Sequence, residues 1–150
     1  MMPKTTRHSL KLLTKSVLNK LENRKFIEIN PATRNELQEE FCKYLSRSII
    51  TDEDLTERVR AEVSNHAQDI SDKNLTETSA FQSRKNALKA QLGENELHGF
   101  FFQQPLRSVA MSVSKYLLDS SLVDEVYESD DAILKLVLDT LQNFDENKIS

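Results

Sequence analysis

The sequence contains very few of the residues that build turns: its 150 residues include two glycines and three prolines. Proteins made mainly of β-sheet need turn residues at short, regular intervals between strands. Two glycines also cannot form the glycine-rich loop that holds phosphates in many nucleotide-binding proteins. The chain is instead rich in Leu, Glu, Lys, Gln and Ala, which lose little side-chain freedom in a helix. The composition therefore predicts a helical protein.

Cysteine and long apolar runs are also scarce. The single cysteine, Cys42, excludes an intramolecular disulfide and is typical of a reducing compartment. Lysines interrupt the apolar residues near the N-terminus, so no signal-peptide core is present. No apolar run approaches the roughly 20 residues that span a bilayer. We therefore expect a cytoplasmic protein with no membrane span.

Apolar residues recur at three- and four-residue steps along most of the chain, which is the pattern of amphipathic helices. Three capping positions, Thr33, Thr51 and Ser129, mark helix starts. The periodic segments begin near residues 8, 33, 51, 79, 105 and 129, and the third could extend to Ile70. We predict an all-α fold, a compact bundle of about five or six helices in a single domain over residues 1–150.

The last two predicted helices repeat the pattern of the first two at a constant offset of 96 residues. Leu10, Leu13, Val17 and Leu21 correspond to Leu106, Val109, Val113 and Leu117, and Leu37, Phe41 and Leu45 correspond to Ile133, Val137 and Leu141. One interpretation is a duplication, with half-repeats 8–47 and 104–144 related by a pseudo-twofold axis and bridged by helices within 51–92. The other is that any two amphipathic helices joined by an apolar elbow look alike.

A resemblance to a known family rests on several segments. They are the run Leu117–Tyr127 followed by Asp130, Asp131 and Ile133, the segments 54–58 and 85–92, and the basic first helix with its elbow at 26–29. Over about residues 8 to 144 the chain resembles the bacterial family called domain of unknown function 507. That resemblance implies a helical fold, and no activity comes with it. The run of phenylalanines at 100–102 replaces a glycine-rich link that family members carry.

Few residues are spaced for catalysis or metal binding. His8, His66 and His98 share no motif, and no Cys/His spacing suits zinc. Glu62 and His66 lie four residues apart, a spacing more typical of a surface pair on a helix. The acids at 52, 54 and 57 lack the glycine of a calcium loop and instead suit a helix start. We therefore predict that the protein is not an enzyme and holds no metal or cofactor.

Charge is unevenly distributed although the net charge is only −4. Residues 1–25 carry a net charge of +6, and the chain from Asp119 onward carries −7. A basic first helix could bind phosphates, which makes a nucleic-acid-associated protein one of two functional hypotheses. Its binding residues would be Lys4, Arg7, Lys11, Lys15, Lys20, Arg24 and Lys25.

The other hypothesis, which the sequence favours, is a protein–protein interaction module. Phe100, Phe101 and Phe102 are consecutive, so they cannot all face one way on a helix or strand. We expect at least one near the surface, where exposed apolar patches mark interaction sites, unless a partner or a second copy of the chain covers it. Alternatively, the segment is buried between the two halves. The acidic C-terminal helix is a second candidate for binding a protein partner.

Overall fold

A computed structural model of the protein describes residues 4–65 and 76–148. These residues form six α-helices joined by short strands and turns, which confirms the predicted helical bundle. The helices are α1 Arg7–Asn23, α2 Arg34–Ser46, α3 Asp52–Asn65, α4 Glu77–Leu92, α5 Leu106–Asp119 and α6 Asp130–Gln142. The predicted extension of α3 to Ile70 lies outside the described residues.

Two of the three predicted caps are present. The Thr51 hydroxyl accepts from the Asp54 amide at 3.1 Å and the Asp54 carboxylate accepts from the Thr51 amide at 3.1 Å, a complete capping box. The Ser129 hydroxyl accepts from the Ala132 amide at 3.3 Å. Thr33 directly precedes α2 as predicted, but the capping bond predicted for its side chain is wrong, because that side chain makes no capping bond to the helix.

Five short strands, which the sequence analysis did not predict, connect the helices. They are β1 Ile27–Ile29, β2 Ile49–Ile50, β3 Glu96–Leu97, β4 Phe100–Phe102 and β5 Val123–Val126. The two predicted apolar elbows lie at β1 and β5, which pair antiparallel. The other three form an antiparallel sheet in the order β2–β4–β3. Strands of two to four residues are too short to show the alternating pattern by which strands are recognised in a sequence.

The helices of the two proposed half-repeats correspond closely at the offset of 96. Both bounds of α2 match those of α6, and α1 and α5 end at matching positions, Asn23 and Asp119. All five buried positions of α5 also correspond to buried positions of α1. The rings of Phe41 and Tyr44 on α2 stack on Tyr116 of α5, with centroids 5.1 and 4.6 Å apart. Duplication of an ancestral unit stays a prediction.

Phe100, Phe101 and Phe102 are all buried, as the interpretation of a buried segment predicts, and the alternative that one of them lies near the surface is wrong. Strand β4 is the middle strand of its sheet, and its two faces lie against different clusters. Phe100 and Phe102 belong to the main core. Phe101 packs in a smaller cluster whose other buried members are Ile50, Leu55, Val59 and Leu88. The three rings face two ways, as expected, but protein covers both sides. They therefore offer no surface to a partner.

Candidate functional site

The seven basic residues of the N-terminal segment do not form one surface. Six of them are exposed and Lys15 is half-buried. At 100° per residue on α1, Lys11 and Lys20 lie roughly 180° apart around the helix axis. The positive charges of these two lysines therefore lie on opposite sides of α1. The predicted nucleic-acid site therefore consists of separate small groups of cations.

Arg7 is held by acidic residues of α3. Its Nη2 atom bonds to Glu57, its Nε atom lies 3.5 Å from Asp54 Oδ1, and its backbone amide donates to Glu53 Oε2 at 2.9 Å. The Glu57 carboxylate, more than the other acids, raises the pKa of Arg7 above its ordinary value. Arg7 thus joins α1 to α3, and its charge is already neutralised within the chain.

Thr5 fixes the segment before α1 in the same corner of the molecule. Its buried hydroxyl donates to the Gly99 carbonyl at 2.7 Å and accepts from the Asp52 amide at 2.9 Å. Its carbonyl accepts from the Glu53 amide at 3.0 Å. Because these bonds link the N-terminal segment, the start of α3 and the turn before β4, they hold α1 beside α3 and create an opening between them.

That opening is the first candidate site, which we call the cationic cleft, with a volume of about 800 Å³. Helices α1, α2 and α3 form its walls. Cationic and amide side chains line most of it, and two buried apolar side chains and a half-buried thiol contribute to its floor. The residues of the cleft are Arg7, Leu10, Lys11, Asn35, Gln38, Glu39, Cys42, Lys43, Ser46, Ile50, Asp54, Arg58 and Gln103.

The second candidate site is a groove between α5 and α6, which we call the α5–α6 groove, with a volume of about 500 Å³. Met111 and Leu118 are 57% and 58% exposed, and both line the groove beside the buried Leu134. The remaining lining residues are Arg107, Ser112, Ser114, Lys115, Asp119, Asp130 and Asp131. Asp130 Oδ1 accepts a hydrogen bond of 2.6 Å from the Ser114 hydroxyl.

Met111 is exposed although the apolar residues Val109, Val113 and Leu117 of the same helix are buried. On a helical wheel at 100° per residue, Met111 and Leu118 lie about 20° from each other. Met111 lies roughly 160° and Leu118 roughly 140° from the centre of the stripe that Val109, Val113 and Leu117 form. Residue spacing alone could therefore have shown that Met111 and Leu118 share a second, separate face of α5.

The two sites occupy related places in the two half-repeats. Three lining positions correspond at the offset of 96: Lys11 with Arg107, Asn35 with Asp131, and Gln38 with Leu134. Each site therefore involves both helices of its own half-repeat, and the cationic cleft also involves α3. Their charges differ, because four cations and two acids line the site in the first half, whereas three acids and two cations line the site in the second half.

The arrangement of helices, caps and paired elbows can be compared with known proteins. The sequence model of a family described as protein of unknown function (DUF507) matches residues 4–149. The chain belongs to this family. The resemblance noted from the segments of the sequence is thereby confirmed. No curated protein and no solved structure matches the chain.

The histidines and acids considered as metal ligands are dispersed. Glu62 accepts from Arg84 Nε at 2.5 Å, and His98 Nε2 lies 2.7 Å from the Gln142 carbonyl oxygen. His66 lies outside the described residues. Within residues 4–65 and 76–148, no group of three or more His, Cys, Asp or Glu side chains could hold a metal ion. Over the same part of the chain, no helix is long and apolar enough to cross a membrane.

Proposed function

We propose that the protein is a non-catalytic protein–protein interaction module and that the α5–α6 groove is its docking surface. One observation carries this proposal: Met111 and Leu118, both more than half exposed, line the groove two turns apart on the same face of α5. Contiguous apolar side chains on a surface mark interaction sites more reliably than single ones. The predicted site at Phe100–Phe102 is replaced by this surface, since those rings are buried.

The fold itself does not require apolar residues at these positions. The counterparts of Met111 and Leu118 in the first half-repeat are Lys15 and Glu22. Glu22 forms an ion pair with Arg34 there. Because the same helical positions accept charged residues in one half, the apolar pair in the other half is a specific feature of that surface.

The charges around the groove indicate the chemistry of the partner. Its lining includes three exposed acids, Asp119, Asp130 and Asp131, and two exposed cations, Arg107 and Lys115. Three further exposed acids, Asp124, Glu125 and Glu128, lie in the segment between α5 and α6. The acids outnumber the cations around the groove, so a basic segment of a partner would have complementary charge. Such complementarity speeds association and disfavours acidic partners.

The occupant that fits best is an amphipathic helix of another protein, apolar on one face and basic at its edges. Helices of this kind bind in grooves through apolar anchors spaced three, four and seven residues apart. The spacing of seven between Met111 and Leu118 provides two anchoring points about 10 Å apart along α5. The buried Leu134 closes the groove from the α6 side.

Replacing Met111 and Leu118 together with serine is expected to weaken partner binding at least about tenfold, because both anchors are lost. The partner is first captured on the full-length protein from the native cell extract after nuclease treatment and is identified by mass spectrometry. Its affinity for purified wild-type and variant proteins is then measured by calorimetry. Both replaced side chains are largely exposed, so the free energy of unfolding should change by only about 0.5 kcal/mol.

Tyr127→Ser is the matched control, because Tyr127 is 59% exposed but does not line the groove. This variant should bind the partner as tightly as the wild type. Equal binding by the Met111/Leu118 variant would contradict the proposal, as would a bound segment that is acidic. If light scattering showed self-association that the groove variant abolished, the occupant would be a second copy of this chain.

The nucleic-acid hypothesis stays a prediction. Lys11 and Lys20 lie on opposite sides of α1, and Arg7 is paired with Glu57. Binding that depended on phosphates would weaken steeply as salt concentration rises. The same calorimetric experiment, repeated with a single-stranded oligonucleotide over a range of salt concentrations, tests this alternative.

A further inference from the structure

Three cations of the cationic cleft have no partner among the residues that the structure describes. They are Lys11 on α1, Lys43 on α2 and Arg58 on α3, and each is exposed. None of them forms an ion pair or donates a side-chain hydrogen bond to a described residue. Five other cations do form ion pairs: Arg7, Arg34, Arg84, Lys85 and Lys89. Each of the three helices α1, α2 and α3 therefore contributes to the cleft one cation that has no acidic partner among the described residues.

The acids of the cleft do not cancel this charge. Asp54 lies 3.5 Å from Arg7 Nε through one oxygen and accepts from the Thr51 amide through the other. Glu39 is the remaining acid in the lining. Among the side chains that line the cleft, four cations face two carboxylates, so the lining carries a net charge of +2 although the whole chain is negative; Glu53 and Glu57 also contact Arg7.

The floor and the size of the cleft fit a small molecule with an apolar part. Leu10 and Ile50 are buried beneath it, and the half-buried Cys42 lies with them. The amide side chains of Asn35 and Gln38 add hydrogen-bonding groups at the wall. The volume of about 800 Å³ falls within the roughly 300–1,000 Å³ typical of ligand pockets.

We propose that the cationic cleft binds a small phosphorylated molecule of about the size of a nucleoside diphosphate. The guanidinium of Arg58 can contact two phosphate oxygens at once, and the two lysines supply further charge. The apolar part of the ligand would lie over Leu10 and Ile50. This site is independent of the α5–α6 groove, so failure of either proposal leaves the other intact.

The second half-repeat supports a specific role for these cations. The position that corresponds to Lys43 is Asp139, and the position that corresponds to Asn35 is Asp131. Arg58 comes from α3, which lies outside both half-repeats. Lys11 has a basic counterpart in Arg107, so the charges that are specific to the first half together with α3 are those of Lys43 and Arg58.

Cys42 provides a direct test, because it is the only cysteine of the chain and lies in the cleft. The full-length protein is alkylated with N-ethylmaleimide, an uncharged reagent, with and without adenosine diphosphate or inorganic pyrophosphate. Each probe should slow the alkylation of Cys42 several-fold in a saturable manner. Calorimetry should give the same dissociation constant for that probe, and stronger binding of adenosine diphosphate would indicate a contact with the apolar floor.

Lys11→Gln and Arg58→Gln should each raise the dissociation constant of pyrophosphate about tenfold, because a charge-assisted hydrogen bond is lost. The matched controls are Lys20→Gln on α1 and Arg60→Gln on α3, whose exposed side chains do not line the cleft. These two variants should bind pyrophosphate like the wild type. All four replacements are at exposed positions, so their circular dichroism and melting temperatures should stay close to those of the wild type.

Two outcomes would overturn the proposal. One is that neither pyrophosphate nor adenosine diphosphate binds or protects Cys42. The other is that both bind, but the Lys20 and Arg60 variants weaken binding as much as the Lys11 and Arg58 variants do, which would indicate attraction to positive charge in general. Binding of a single-stranded oligonucleotide that depends equally on all four cations would count against the cleft in the same way.

Discussion

Phe101→Ser is expected to lower the free energy of unfolding by about 4 kcal/mol, the range for removing a buried aromatic ring. Phe101 is 0% exposed and is the β4 residue that packs against Ile50, Leu55, Val59 and Leu88. Serine would leave a cavity there and bury a hydroxyl group. Urea denaturation followed by circular dichroism measures the loss, and the melting temperature should fall by roughly 10 °C.

If Phe101→Ser unfolds the protein, a loss of partner binding by this variant reports lost stability and not a lost contact with the partner. If Phe101 were a docking residue, Phe101→Ser would abolish partner binding and leave the melting temperature unchanged. Phe101→Leu is the control, since it keeps an apolar side chain in place and should lose only about 1 kcal/mol. A decrease of less than 1 kcal/mol for Phe101→Ser would contradict the buried position of this ring.

Asp52→Asn is expected to lower the free energy of unfolding by about 3 kcal/mol, because it leaves a buried ammonium group without its counterion. Asp52 and Lys85 are both buried, and Lys85 Nζ lies 3.2 Å from Asp52 Oδ2. Lys89 Nζ lies 3.5 Å from the other carboxylate oxygen. This group of charges joins α4 to the first turn of α3.

A double-mutant cycle separates the ion pair from its surroundings. Lys85→Gln alone leaves Asp52 paired with Lys89, and Asp52→Asn together with Lys85→Gln removes both buried charges. The double variant should be destabilised by clearly less than the sum of the two single variants, with a coupling of about 2 kcal/mol. Lys89→Gln, a more exposed position, should change stability by less than 1 kcal/mol. Additive effects of Asp52→Asn and Lys85→Gln would contradict the pairing.

The order of the helices followed from the sequence because helix signals are local. The apolar positions of α1, Leu10, Leu13, Val17 and Leu21, are all buried as their spacing predicts. The caps at Thr51 and Ser129 are formed by residues three positions apart. Interactions between residues three and four apart can be recognised without knowing the rest of the fold.

The candidate sites could be predicted only in part. The acidic segment from Asp119 onward and the basic residues of α1 were visible in the sequence, but the direction of each side chain was not. Lys11 lines the cationic cleft with Lys43 and Arg58, while Lys20 does not. That grouping depends on how α1, α2 and α3 pack together, and the residues concerned are separated by up to 47 positions in the chain.

The sequence by itself determined the helical class, most helix starts, the buried stripes and the family. The first three rest on patterns among residues close together in the chain, and the family rests on the match over residues 4–149. Only the tertiary structure decided that Phe100–Phe102 are buried and that Arg7 is paired with acids of α3. It also decided which charged side chains line the cationic cleft and which line the α5–α6 groove. These outcomes depend on contacts between distant residues, such as the bond between Thr5 and Gly99, 94 positions apart. Burial and charge pairing belong to the assembled fold, because they require knowing what covers each side chain.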